Sequence, residues 1–90
     1  QRASSDDYFR LVVRPNALGY GRLGLTVSRR TAARAVDRNR IKRLIRESFR
    51  SAQNQIAGND VLVMARRQAV SASNKTLRHS LEQRWRLMGN

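Results

Sequence analysis

Cysteine is absent from this chain of 90 residues, which excludes disulfide scaffolds, cysteine-ligated zinc and thiol chemistry. The absence is compatible with a reducing compartment without establishing one. Acidic side chains are scarce, and Asp6, Asp7, Asp37, Glu47, Asp60 and Glu82 are the whole set. They are scattered, so they suggest neither a protein-borne metal site nor a general-acid pair. His79 stands alone, with no base–orienter pair in view. Phosphate-binding loops of the G-x-x-x-x-G-K-[ST] type and G-x-S-x-G elbows are missing, and Gly19, Gly21 and Gly24 have the wrong spacing for a nucleotide loop. A self-sufficient protein active site is therefore not expected. No apolar run approaches the roughly 20 residues that span a bilayer, so no membrane partner is expected. A hydrophobic signal segment is also lacking; the chain opens on Gln1, and residues are expected ahead of it.

What is present is positive charge. Lysine and arginine number 19 and the formal net charge is +13. All but Lys42 and Lys75 are arginine, whose planar five-donor head grips phosphates bidentately and stacks on bases. An arginine-rich genome gives the same skew, so the bias carries limited weight. Its distribution carries more. Arg29, Arg30, Arg34, Arg38, Arg40, Lys42, Arg43, Arg46 and Arg50 crowd into one stretch against Asp37 and Glu47.

The hydrophobic content of 40% suits one small domain, residues 1–90, with a modest core. Residues 1–7 are polar and are expected to fray. From Tyr8 to Arg14 the pattern alternates, with Phe9, Leu11 and Val13 on one side, which predicts a half-buried strand. A turn between Pro15-Asn16 and Gly19-Tyr20-Gly21 leads to a second alternating run, Arg22 to Ser28. Two such runs joined by a short turn predict an antiparallel hairpin. The period then changes. Ile41, Leu44, Ile45, Ser48, Phe49, Ala52 and Ile56 recur at spacings of three and four and fall within an arc of roughly 140° on a helix. Asn39, Lys42, Arg43, Arg46 and Arg50 fall on the opposite arc. Asp37 is a candidate N-terminal cap and Gly58-Asn59 a helix end. The apolar run 60–65 predicts a strand buried on both faces. Ser73 or Asn74 caps a last helix with the stripe Leu77, Leu81, Trp85 and Met88, which places Trp85 in the core and His79 in solvent. The order is ββαβα, an α/β (α+β) sandwich with helices over one face of a small sheet.

The basic helix is the informative element. A solvated amphipathic helix normally carries Glu among its Lys and Arg at i,i+4. Here Arg38, Lys42, Arg46 and Arg50 are successive like-charged neighbours at that spacing. Each such pair costs a few tenths of a kcal/mol, roughly. A phosphate backbone relieves the repulsion, with counterion release as the driving force. A nucleic-acid partner follows, with Arg29, Arg30 and Arg34 extending the patch ahead of the helix. Tyr8, Arg10 and Arg14 form a second candidate surface, suited to a single strand with a base on the ring and phosphates on the arginines. The alternative, in which Tyr8 merely covers a sheet edge, stays open.

The run from Arg22 to Arg30 and the run from Ala35 to Arg50, with Arg38-Asn39-Arg40 opening the basic helix, closely resemble the protein subunit of bacterial ribonuclease P. Residues 60–66 resemble that family's strand after the helix. The resemblance extends from Tyr8 to about Met88. It implies an RNA-binding accessory subunit that assists a catalytic RNA in removing the 5′ leader from precursor tRNA. It implies ribonuclease P RNA and the leader as partners, magnesium required by the RNA-based holoenzyme, no cofactor bound by the protein itself, and a cytoplasmic location. No signal sets an oligomeric state. The resemblance also implies a small mixed sheet with a left-handed β-α-β crossover, which general topology rules do not predict. Carried over by motif, Arg38, Asn39, Arg40, Lys42, Arg43 and Arg46 are RNA contacts, Arg29 and Arg30 match a basic pair after the second strand, and Tyr8, Arg10 and Arg14 are leader-binding candidates. Family members usually begin with a helix bearing aromatic residues, and nothing before Tyr8 can form it.

Other readings share the basic helix. A structural ribosomal or RNA-chaperone-type protein needs no leader cleft. A DNA-binding domain is disfavoured by the strand-rich start and the lack of a two-helix recognition unit. A stand-alone nuclease is disfavoured by the lack of clustered acids.

Overall fold

A computed structural model describes residues 1–89. Four strands and two helices follow one another as β1 (Arg2–Ser5), β2 (Phe9–Pro15), β3 (Arg22–Thr26), α1 (Ala35–Ser51), β4 (Asn59–Ala65) and α2 (Asn74–Met88), with a 3-10 turn at Arg67–Ala69 before the last helix. The ββαβα order therefore holds, with one more strand at its front.

That extra strand corrects the expectation of a frayed start. Arg2–Ser5 pairs antiparallel with β2, Arg2 opposite Val13 and Ser5 opposite Arg10. A strand at a sheet edge is held by its backbone, so the polar side chains of residues 1–7 gave no sign of it. The Asp6 carboxylate closes the turn by accepting from the amides of Tyr8 and Phe9, both at 2.9 Å. Arg2 donates to the Met88 carbonyl at 2.8 Å and Arg84 to Ser4 Oγ at 2.7 Å, so the last helix also anchors this strand.

The sheet order is β1-β2-β4-β3, so β2 and β3 are not neighbours and the predicted hairpin does not form. Instead β4 lies between them, antiparallel to β2 and parallel to β3. The six residues from Asn16 to Gly21 cross the roughly 10 Å left for an intervening strand. The centre of a sheet favours the strand richest in apolar β-branched residues, here Val61 and Val63. The link β3-α1-β4 is the crossover between parallel neighbours.

Side-chain alternation divides the sheet into a dry face and an open face. Phe9, Leu11, Val13, Val61 and Val63 are buried on the first, against Ile41, Leu44, Ile45 and Phe49 of α1 and Leu77, Leu81, Trp85 and Met88 of α2. The open face carries Arg10, Val12, Arg14, Arg22, Gly24, Thr26, Leu62 and Met64 by register. This corrects the reading of β4 as buried on both faces, since Leu62 is 40% exposed. Both helices lie on one side, so only every second residue of β4 meets the core.

Helix α1 ends at Ser51, earlier than its apolar spacing suggested, and Ile56 reaches the core from a turn after the helix. The Ala52 amide bonds to the Phe49 carbonyl, tightening the last turn. Its N-cap is Arg34, without a side-chain cap bond; Asp37 sits in the first turn and serves the helix dipole instead of capping. In α2 the cap is Ser73, whose Oγ accepts from the Thr76 amide at 3.1 Å.

Candidate nucleic-acid interface

Helix α1 presents its outer face as a row. Asn39, Arg43, Arg46 and Arg50 are exposed and fall within roughly 60° of arc. The side chains of Asn39, Arg46 and Arg50 make no hydrogen bond or ion pair among the described residues. Arg43 Nε lies 4.0 Å from Glu47, an exposed pair that contributes little. The row is therefore charged and solvated, with the weak Arg43–Glu47 contact as its one side-chain ion pair among the described residues. Lys42, half-buried, flanks it.

The preceding segment adds charge by a different device. Ser28 and Thr31 close a turn through Thr31 N to Ser28 O at 3.1 Å and Ala32 N to Ser28 O at 2.9 Å. Arg29 and Arg30 occupy the middle of that turn and are exposed, as is Arg34 at the helix start. The turn projects them beyond the end of the sheet.

Arg38 and Arg40 lie elsewhere. Arg38 Nη1 donates to the carbonyls of Ala32 at 3.0 Å and Ala33 at 2.9 Å. Arg40 turns toward the segment before α2 and bonds Val70 O at 2.9 Å and Asn74 Oδ1 at 2.8 Å. Helical phase carried part of this signal. Arg38 is three residues before Ile41, within about 60° of it, and so on the apolar side.

The three candidates Tyr8, Arg10 and Arg14 do not share one surface. Arg10 and Arg14 are exposed on the open face of the sheet. Tyr8 precedes β2, packs against the core and lines a recess with Lys75, Thr76 and His79 of α2.

One network on the open face was not read from the sequence. Arg22 donates to both oxygens of Asp60, at 2.7 and 2.8 Å, and Asn16 Nδ2 donates to the same carboxylate at 3.0 Å. Arg14 stands 3.9 Å away. The bonds from Arg22 and Asn16 hold the Asp60 carboxyl at about 2, well below its ordinary 3.8. Arg22 and Asp60 are direct partners across the parallel pair, a register no local pattern reveals. At the other edge, burial opposes the charge on Asp6, yet the Ser80 hydroxyl, the Phe9 and Tyr8 amides and the Arg84 guanidinium together leave its carboxyl below the usual value. These two carboxylates are thus satisfied by protein donors. No three His, Cys, Asp or Glu side chains converge among the described residues.

Fold and surface together define a small α/β domain with helices on one side of a mixed sheet and a cationic row on the outer helix. A family model described as Ribonuclease P matches residues 1–89. The chain belongs to the ribonuclease P protein family. It is 48% identical over 85 residues to the ribonuclease P protein component of Methylococcus capsulatus, covering 94% of this chain and 66% of that protein. The corresponding protein of Chromohalobacter salexigens is 47% identical over 76 residues, 84% of this chain and 59% of its own. Of the relatives' length, the chain thus spans somewhat less than two thirds. Among solved structures, the RNase P protein from Thermotoga maritima superposes with a TM-score of 0.85 at 31% identity, covering 94% of this chain and 83% of that one. The Staphylococcus aureus RNase P protein gives 0.83 at 32% identity, over 91% of this chain and 75% of that one.

Proposed function

We propose that this chain is the RNA-binding part of a ribonuclease P protein subunit. In this reading it is an accessory to a catalytic RNA, in the cytoplasm, and assists removal of the 5′ leader from precursor tRNA. The observation that carries the reading is the exposed row of Asn39, Arg43, Arg46 and Arg50 on α1, beside the exposed Arg29, Arg30 and Arg34. From Arg43 to Arg50 the helix rises about 10 Å, a span that reaches more than one phosphate of an RNA strand. Neutralising phosphates with this row lets two polyanions, the catalytic RNA and its substrate, approach each other. Magnesium belongs to the RNA in this scheme and the protein supplies no hydrolytic group. The open sheet face, with Arg10 and Arg14, is the candidate surface for the single-stranded leader.

The test is the salt dependence of binding to a transcribed bacterial ribonuclease P RNA. Arg46→Ala combined with Arg50→Ala lowers the slope of log K against log salt by about 2. An unchanged slope in a folded variant places the contact elsewhere. Sequencing of co-purified RNA separates ribonuclease P RNA from ribosomal RNA. Stimulation of that RNA's cleavage at low magnesium, with no cleavage by the protein alone, completes the assay.

A further inference from the structure

The Arg-Asn-Arg run at residues 38–40 divides into one outward member and two inward ones. Arg40 has its two terminal nitrogens occupied. Nη1 faces Asn74 Oδ1 at 2.8 Å and Ala72 O at 3.4 Å; Nη2 faces Val70 O at 2.9 Å and Ala69 O at 3.5 Å. These acceptors run from the end of the 3-10 turn to the first residue of α2, so one guanidinium gathers residues 69–74, the later part of the connection between β4 and the last helix. Arg38 does the same in the other direction, toward Ala32 and Ala33 ahead of its own helix. Asn39, between them, is exposed.

We propose that Arg40 is a positioning residue: it fixes residues 69–74 against the N-terminal part of α1 and does not itself meet RNA. The proposal rests on the RNA-binding reading above. A planar head with five fixed donors can serve several carbonyls at once, whereas an ammonium on a flexible stem cannot hold that fork. Swinging Arg40 out to a phosphate strips these carbonyls and Asn74 of their donor. It also releases the start of α2 from α1. Asn39, Arg43, Arg46 and Arg50 remain as the contact row, placed by Arg40 from behind.

Charge and geometry separate the two roles. Arg40→Lys keeps the charge and loses the fork; Arg40→Gln loses both the charge and the fork. With ribonuclease P RNA as the probe, both variants lower affinity by about three- to tenfold, the scale of one lost set of charge-assisted bonds. Both leave the salt slope at the wild-type value, and both speed amide hydrogen exchange at 69–74 in the free protein. Near wild-type binding by Arg40→Lys, with a slope reduced by about 1 in Arg40→Gln, makes Arg40 a phosphate contact and overturns the proposal. An unchanged slope in Arg46→Ala strikes instead at the RNA-binding row itself. Phenylglyoxal modification of the unmutated protein, mapped by mass spectrometry, needs no variant to fold. Arg40 reacts slowly with or without RNA, while Arg46 and Arg50 react fast and are protected by RNA. Fast reaction at Arg40, suppressed by RNA, contradicts the assignment.

Discussion

Trp85 Nε1 donates a 2.7 Å hydrogen bond to Ser48 Oγ, so a polar group inside the apolar stripe of α1 is the partner of the buried indole. Phe49 meets the same ring edge-on, with centroids 6.1 Å apart. Ser48 therefore belongs to the packing of the two helices. Ser48→Ala leaves a donor unpaired beside a recess that admits water. We expect a loss of about 1 kcal/mol, the low end for an orphaned donor, seen as a lower urea midpoint. Equal stability would mean that the indole finds another acceptor.

Asp60 sets a pH dependence. It keeps its charge down to about pH 2 in the folded chain and has an ordinary value of 3.8. Its contribution is complete above that ordinary value and is lost as the pH falls toward 2. Urea midpoints measured from pH 5 to pH 2 are expected to fall more steeply in the wild type than in Asp60→Asn. Parallel curves for the two proteins would show that Arg22 and Asn16 do not favour the ionised form.

Glu47 is the single acid between Arg38 and Arg50. Its distance from Arg43 is 4.0 Å and both side chains are well exposed, so Glu47→Gln changes stability by less than about 0.5 kcal/mol. Removing its charge from beside the row raises affinity for RNA by about two- to threefold at low salt. The gain shrinks as salt is added, and titrations at two ionic strengths check this. A loss of affinity would argue that phosphate does not approach this face.

Ala17 adopts a φ of 59°, in the left-handed region. It is held there by Asn16, whose Oδ1 accepts from the Leu18 amide at 2.9 Å while Nδ2 reaches Tyr20 O and Asp60. Ala17→Gly removes the steric cost and adds freedom to the unfolded chain, with the first effect the larger. The expected net gain is about 0.5 kcal/mol, read as a raised melting temperature. A drop would mean that the loop relaxes at no cost.

Periodicity made most of the core legible: Phe9, Leu11 and Val13 by alternation, Ile41, Leu44, Ile45 and Phe49 by helical spacing, Trp85 as part of the last stripe. It could not supply partners. Nothing local in Arg22–Thr26 says that its neighbour is a strand beyond the next helix, and nothing in Arg2–Ser5 advertises a strand at all. The site was legible to a similar depth. Charge density located α1, and phase separated Arg43, Arg46 and Arg50 from the core. The inward turn of Arg38 and Arg40 depends on carbonyls at residues 32, 33 and 69–72, which only the folded chain brings near. Tyr8 parted from Arg10 and Arg14 for a related reason: it lies before the strand, where alternation no longer fixes direction.

The central position of β4 governs when this domain can form. Both β2 and β3 need Asn59–Ala65 as a ladder partner, so on a chain emerging from the ribosome β3 has no partner and β2 has only the edge strand β1 until β4 has been made. Contacts of such long sequence separation slow folding. The sheet therefore closes late, after the cationic helix has already been synthesised.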